Sequence, residues 1–246
     1  MRPRYCSAHR LRPQWLALAA LAATIVATPV DADVRVYGQV SGIPALAPGV
    51  GFALHLARED LALDYGSGED SETLELRRLG LTLSESVGER TRVGLRLGRL
   101  WASQSGRPAL ADVDPRGHYL DLALATEFPL SESLHATLDA SWRYAVADAT
   151  EDDSEVDLEW QTWALQPGLR VPVQERAAVR LGASFVAIDG HERVRGPTAA
   201  RTDFESDGNV GAYLALDLMP RPDDVVSFQV EGGPRTGVYV SFEHRY

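Results

Sequence analysis

Leu79-Gly80-Leu81-Thr82-Leu83-Ser84 and, shortly after it, Arg92-Val93-Gly94-Leu95-Arg96-Leu97-Gly98 place an aliphatic residue at every second position. A polar or small residue stands between each pair. In an extended chain successive side chains point to opposite faces, so this alternation predicts strands with one greasy and one polar face. The same rhythm runs outward in both directions. It covers Val34–Val40, Val50–Leu56, Leu61–Tyr65, Leu120–Phe128, Leu134–Val146 and Val156–Trp160. It returns at Val179–Phe185, Val210–Leu218, Val226–Val230 and Gly237–Tyr246. No part of the chain after the N-terminal run carries a helical stripe of period 3.6.

The connections alternate too. Short polar turns are expected at residues 58–60, 85–90, 129–133, 173–176 and 220–224. Other connections, several of them long, acidic or glycine-rich, are expected at 44–49, 67–72, 103–116, 147–155, 190–206 and 232–236. Tight turns on one side and longer loops on the other characterise transmembrane barrels. Eleven connections imply twelve strands, with ten as the second choice and eight as a further alternative. Both chain termini then lie on the side of the short turns.

Composition narrows the class. The 246 residues carry 24 basic residues, all arginine, against 35 acids, a formal charge of −11. An acidic chain lacks the cationic face that nucleic acid requires. Hydrophobic residues make up 45%, yet the mean hydropathy is −0.16. That balance excludes a bundle of membrane helices, which needs several apolar runs of about 20 residues. A single cysteine excludes a disulfide framework.

The N-terminus reads as an export signal. Arg2, Arg4, Arg10 and Arg12 precede an uncharged run from Trp15 to Val30, and Val30-Asp31-Ala32 puts small residues at the positions a signal peptidase reads. This three-part pattern predicts a signal peptide over residues 1–32 and a barrel over residues 33–246. Cys6 falls within the signal. The remainder holds 20 arginines against 34 acids, a formal charge of −14.

Alternation alone also suits a soluble sandwich with its apolar face turned inward. Three features favour a membrane barrel. The polar face is rich in Gly, Ala and Ser. Trp101, Trp142, Tyr144 and Trp160 stand near one set of strand ends, with Phe128 and Tyr246 near the other, as interfacial girdles do. The chain closes on a strand with Val238, Val240, Phe242 and Tyr246 on one face. With its aromatic last residue this terminal strand resembles the insertion signal of Gram-negative outer-membrane β-barrel proteins. His244 departs from that pattern. The character is that of small OmpA/OmpX-like or porin-like barrels, with no motif that names a subfamily. The resemblance implies insertion by the outer-membrane assembly machinery and residence among outer-membrane lipid and lipopolysaccharide.

No chemistry stands out. His55, His118, His135, His191 and His244 show no His-x-x-x-His spacing, and no Gly-x-Ser-x-Gly elbow occurs. His135, Asp139 and Ser141 share a strand face, but six residues at about 3.3 Å each separate the first from the last by about 20 Å. No cofactor is expected. The acidic clusters at 69–72, 151–155 and 203–207 suit hard cations, or simply a solvated surface. With the apolar face toward lipid, Arg92, Arg96, Arg143, Arg180 and Arg245 point into the lumen. Asp121, Asp139, Asp157, Glu159, Asp217, Glu231 and Glu243 are expected to join them. Such charges either line a narrow passive channel, the favoured expectation, or pair into a closed barrel acting through its loops. A lipid-acting enzyme ranks third.

Replacing Tyr246 by Asp adds a charge to the lipid-facing edge and removes the terminal aromatic. The expected outcome is a lower yield of assembled barrel in the outer membrane, with unaltered refolding in detergent, read by heat-modifiable migration on a denaturing gel.

Overall fold

The computed structural model describes residues 49–65, 72–105, 114–151, 154–196 and 199–246. The expected signal peptide at 1–32, the run at 34–40 and the acidic cluster at 69–71 lie outside the described residues. Eleven strands follow one another: β1 (Val50–Asp64), β2 (Glu72–Val87), β3 (Thr91–Ser105), β4 (Arg116–Ser131), β5 (Leu134–Glu151), β6 (Ser154–Gln174), β7 (Ala177–Arg195), β8 (Ala200–Ser206), β9 (Val210–Arg221), β10 (Asp224–Gly232) and β11 (Arg235–Arg245). All neighbours are antiparallel. Ten strands close a ring, because β11 pairs with β1 from Gly51↔Arg245 to Leu61↔Arg235. Strand β8 is not part of that ring.

The count differs from twelve for a physical reason. The runs at 50–56 and 61–65 form one strand, and no turn occurs at Arg58-Glu59-Asp60. Glu59 is 1% exposed and points inward. The three charges that read as a turn are an interior carboxylate flanked by two outward polar residues. The 190–206 stretch also departs from the expected loop, since it contains the end of β7 and all of β8.

Strand β8 creates a second closure. It pairs with the upper part of β7, from Asp189↔Glu205 to Val194↔Ala200, while the lower part of β7 pairs with β9. Its other edge meets β1 at Leu63↔Ser206 and Asp64↔Glu205. The changeover is hydrogen-bonded. Ala62 donates its N–H to the Pro234 carbonyl, Asp207 donates to the Ala62 carbonyl, and Val186 donates to the Asn209 carbonyl. At the loop end, therefore, β1–β8 form a ring of eight, and β9–β11 stop beneath it. Full closure leaves the ring without an unpaired edge.

The two levels have opposite sidedness. Through the ten-stranded part the aliphatic residues face outward, as with Phe52, Leu54 and Leu56 or Leu79, Leu81 and Leu83, all at least 40% exposed. In the eight-stranded part they face inward. Leu61, Leu63, Leu74, Leu76, Leu100, Tyr119, Leu158, Trp160, Val186, Ile188 and Phe204 form one core, each no more than 6% exposed. Trp160, expected at an outer rim, sits inside this core. Trp101, Tyr144 and Trp163 do face outward, and Trp163 packs 6.1 Å from Trp142. At the other end Tyr246 lies edge-on to Phe52.

Tyr119 shows how the wall accommodates an inward aromatic. Gly80, Gly98 and Tyr119 are register partners on β2, β3 and β4. The tyrosine lies flat across both glycines, and a Cβ at Gly98 would stand 2.4 Å from its ring. Tyr213 lies across Gly168 and Gly182 in the same way.

Leu74→Ala, in the centre of the apolar core, is expected to cost about 2–5 kcal/mol. Leu81→Ala, on the exposed belt, should cost far less in detergent. Paired urea titrations of the refolded barrel measure the difference.

Candidate functional site

Below the apolar core the interior is charged. Inward positions hold eight arginines (Arg78, Arg92, Arg96, Arg143, Arg170, Arg180, Arg235 and Arg245) and seven carboxylates (Glu59, Asp121, Glu127, Asp139, Asp217, Glu231 and Glu243). They sit at the alternate positions left free by the outward aliphatic residues. Near-equal numbers allow neutralisation in place, which a buried charge requires.

The pairs form tiers. Uppermost, Glu59 accepts from Arg78 at 2.9 Å, from Arg143 at 3.2 Å and from the Tyr239 hydroxyl at 3.1 Å. Arg143 also reaches Asp121 at 3.2 Å, and Arg96 reaches the same carboxylate at 3.4 Å. The guanidinium groups of Arg78 and Arg143 lie 5.3 and 5.7 Å from the Tyr119 ring centroid, within cation–π range. Opposite them, Arg235 pairs with Glu231 at 2.6 Å, and Ser184 donates to the same carboxylate. The middle tier is Arg180, which holds Asp217 at 2.8 and 3.1 Å and Asp139 at 3.2 Å. Lowest, Arg92 and Arg245 share Glu243, and Arg170 and His135 share Glu127.

The structure brings together Arg92, Arg96, Arg143, Arg180, Asp121, Asp139 and Asp217 inside the barrel, with Arg245, Glu231 and Glu243. Asp157 and Glu159 stand outside it. Asp157 pairs with Arg195 at 2.9 Å, and Glu159 accepts from the Tyr144 hydroxyl at 2.8 Å. The reason is the reversal of sidedness. Their neighbours Val156, Leu158 and Trp160 belong to the inner core, so these acids face water. Sequence reasoning missed Glu59, Arg78, Glu127, Arg170, Arg235 and Tyr239. Parity marks Arg78, which shares a face with Gly80 and Thr82. The expectation of a turn at 58–60 hid Glu59. His135 pairs with Glu127 and Asp139 with Arg180, so no triad forms with Ser141.

Between the tiers lies a cavity of about 310 Å³, lined by His55, Arg78, Arg96, Asp121, Arg143, Arg180, Gln229 and Tyr239 among others. A second, of about 170 Å³, is lined by Arg92, Glu127, Arg170, Asp217 and Arg245 toward the short-turn end. Both cavities touch Asp139, Arg180, Ser227 and Glu243. The polar space therefore extends from the middle of the barrel to the short-turn mouth.

No family model and no curated protein sequence matches the chain. Among solved structures it is similar to the translocator domain of the autotransporter NalP from Neisseria meningitidis, at 10% identity and a TM-score of 0.47, covering 95% of this chain and 98% of that one. It is similar to the outer membrane protein OprG from Pseudomonas aeruginosa, at 12% identity and 0.46, covering 85% and 100%. A third is the outer membrane protease OmpT from Escherichia coli, at 7% identity and 0.41, covering 82% and 98%. Neighbours this distant do not bear on function, which rests here on the chain's own residues. The closed up-and-down barrel, with its exterior apolar belt and charged interior, has the architecture of the Gram-negative outer-membrane β-barrels.

Glu59→Gln removes the carboxylate shared by Arg78 and Arg143. Breaking a buried ion pair from one side costs about 3–5 kcal/mol, because it strands the remaining charge. Asp139 keeps a 29% exposed side chain, so Asp139→Asn should cost markedly less. Unfolding of both variants from lipid vesicles checks the order.

Proposed function

We propose that this chain is an integral outer-membrane β-barrel that is closed toward its loop end and works as a structural and surface-presenting barrel. One observation carries the reading: the apolar core that fills the eight-stranded ring. Side chains fill the interior of a barrel of that size. A permeating ion would have to cross buried Leu61, Leu74, Leu100 and Trp160 and shed its hydration shell among them. The paired arginines and carboxylates below act as a second seal. This favours the closed barrel over the narrow passive channel that the polar face suggested from sequence.

In this reading residues 1–32 direct export, the strand ending at Tyr246 addresses the chain to the assembly machinery, and the short-turn mouth faces the periplasm. The belt of Phe52, Leu81, Leu97, Leu122, Leu181, Leu216 and Phe242 meets the hydrocarbon. The ring of eight projects beyond it, with acids and arginines toward water. No catalytic role is proposed.

Planar-bilayer recording of the purified barrel tests the proposal. No stable conductance steps are expected from a heat-modifiable, correctly folded sample. Steps whose ion selectivity shifts in Arg96→Ala or Arg143→Ala would overturn it in favour of a channel.

A further inference from the structure

Where the apolar belt ends, the four strands β1–β4 agree with one another. Each presents three outward aliphatic or aromatic residues and then a basic one. On β1, Phe52, Leu54 and Leu56 are followed by Arg58, and on β2, reading in the same direction, Leu83, Leu81 and Leu79 by Arg77. On β3, Val93, Leu95 and Leu97 are followed by Arg99 and Trp101. On β4, Leu124, Leu122 and Leu120 are followed by His118 and Arg116. Register makes these one patch. Arg58 is opposite Arg77, Arg77 opposite Trp101, and Trp101 opposite Arg116, while Arg99 is opposite His118 in the row below.

Strands β5–β7 cap the belt with acids or amides. The first outward charged residue above the belt is Asp148 on β5, Glu159 on β6 (after Gln161) and Asp189 on β7. In a chain of net charge −11, the basic residues at this height are thus confined to one side.

The patch is electrostatically unfinished. Arg58 and Arg77 are direct cross-strand partners with side chains 63% and 67% exposed, and like charges directly opposite destabilise a sheet. One oxygen of Glu75 lies 3.1 Å from each and is their shared carboxylate. Among the described residues Arg99 and Arg116 form no ion pair, although Asp148 stands opposite Arg116 on β5 and bounds the patch. At the same end of β7 and β8, Arg195 is paired with Glu155 and Asp157 and Arg201 with Asp203, while Arg193 stands opposite Asp157 on the neighbouring strand.

We infer that Arg58, Arg77, Arg99 and Arg116, with Trp101 beside them, bind the phosphorylated sugar headgroup of an outer-leaflet glycolipid whose acyl chains lie along β1–β4. The inference rests on the reading of the chain as an outer-membrane barrel with its loop end outward. Height decides the class of ligand, because an anion held at the end of an apolar belt is the headgroup of the lipid that coats that belt. Arginine suits it. The planar guanidinium grips phosphate through two parallel hydrogen bonds, and its stem lies along apolar surface. An indole at the same level packs between chain and headgroup.

The test uses the purified, folded barrel in micelles at 0.15 M salt, titrated with lipid A and with the same lipid after removal of its phosphates, bound lipid being counted by native mass spectrometry. The wild-type barrel is expected to prefer the phosphorylated lipid by about tenfold or more, equivalent to about 1.4 kcal/mol. The variant Arg58→Gln/Arg77→Gln/Arg99→Gln/Arg116→Gln loses that preference, while Arg193→Gln/Arg195→Gln/Arg201→Gln keeps it. If the quadruple variant lacks the heat-modifiable folded band, Arg58→Gln/Arg77→Gln is judged instead, and must lose at least half of the preference. Equal binding of both lipids by the wild type overturns the inference. So does an unchanged preference in the variants, or displacement of lipid A by millimolar inorganic phosphate, which would make this a free-anion site. Reconstitution into plain phosphatidylcholine vesicles separates the two levels. A barrel that inserts there but does not discriminate defeats the headgroup site alone, and a barrel that fails to insert defeats the membrane reading.

Discussion

Glu59 marks the level at which this barrel changes character. Its carboxylate lies almost without solvent between Arg78, Arg143 and Tyr239, and so ties β1 to β2, to β5 across the barrel and to β11. Two and four positions further along β1, Leu61 and Leu63 enter the apolar core. Two and four positions earlier, Ala57 and His55 face the polar tiers. A charge at this depth is tolerable only if fully paired, and pairing it fixes the relative rotation of the strands that supply the partners. The interior above can then be dry and the interior below wet.

On the proposed membrane reading, the change of character follows from the solvent outside. Within a bilayer the exterior must be apolar and the interior takes the polar groups. Beyond it the exterior meets water, and the ordinary logic of a soluble barrel returns, with a greasy inside. Each long strand crosses from one regime to the other without breaking its alternation. β2 shows it plainly: Leu74 and Leu76 point in and Leu79, Leu81 and Leu83 point out, with the Arg77-Arg78 pair at the crossing. One arginine of that pair serves the lumen and the other the rim.

Strand number changes at nearly the same height. A ring of ten leaves room for water and ion pairs, and a ring of eight is filled by side chains. The short β8 effects the reduction by taking over the edges of β1 and β7 where β9–β11 end. The narrowing and the apolar filling support one another, since the wider ring would leave voids around Trp160 and Phe204, and the narrower one has no space for hydrated charges. The same reversal leaves the rim of β1–β4 with arginines facing outward just above the lipid belt.

The sequence by itself determined most of the strands, their antiparallel succession, most of the short turns and long loops, and the identity of most lumen charges. These follow from a period of two and from turn chemistry, which are local. Eleven of the twelve expected runs fall on ten strands, two of them on β1, and Arg92, Asp121, Arg143 and Arg180 fell on the interior by parity alone. What alternation does not carry is the sign of the faces. Val156, Leu158 and Trp160 alternate with Asp157 and Glu159 as regularly as Leu95 and Leu97 do with Arg96, yet the two sets face opposite ways. Which face is inside depends on whether lipid or water surrounds that level of the barrel, and on which strands close the ring there. Both are properties of the assembled cylinder. The closing of β8 onto β1, the burial of Glu59 and the filling of the outer ring therefore belong to the tertiary structure, because each joins residues more than a hundred positions apart.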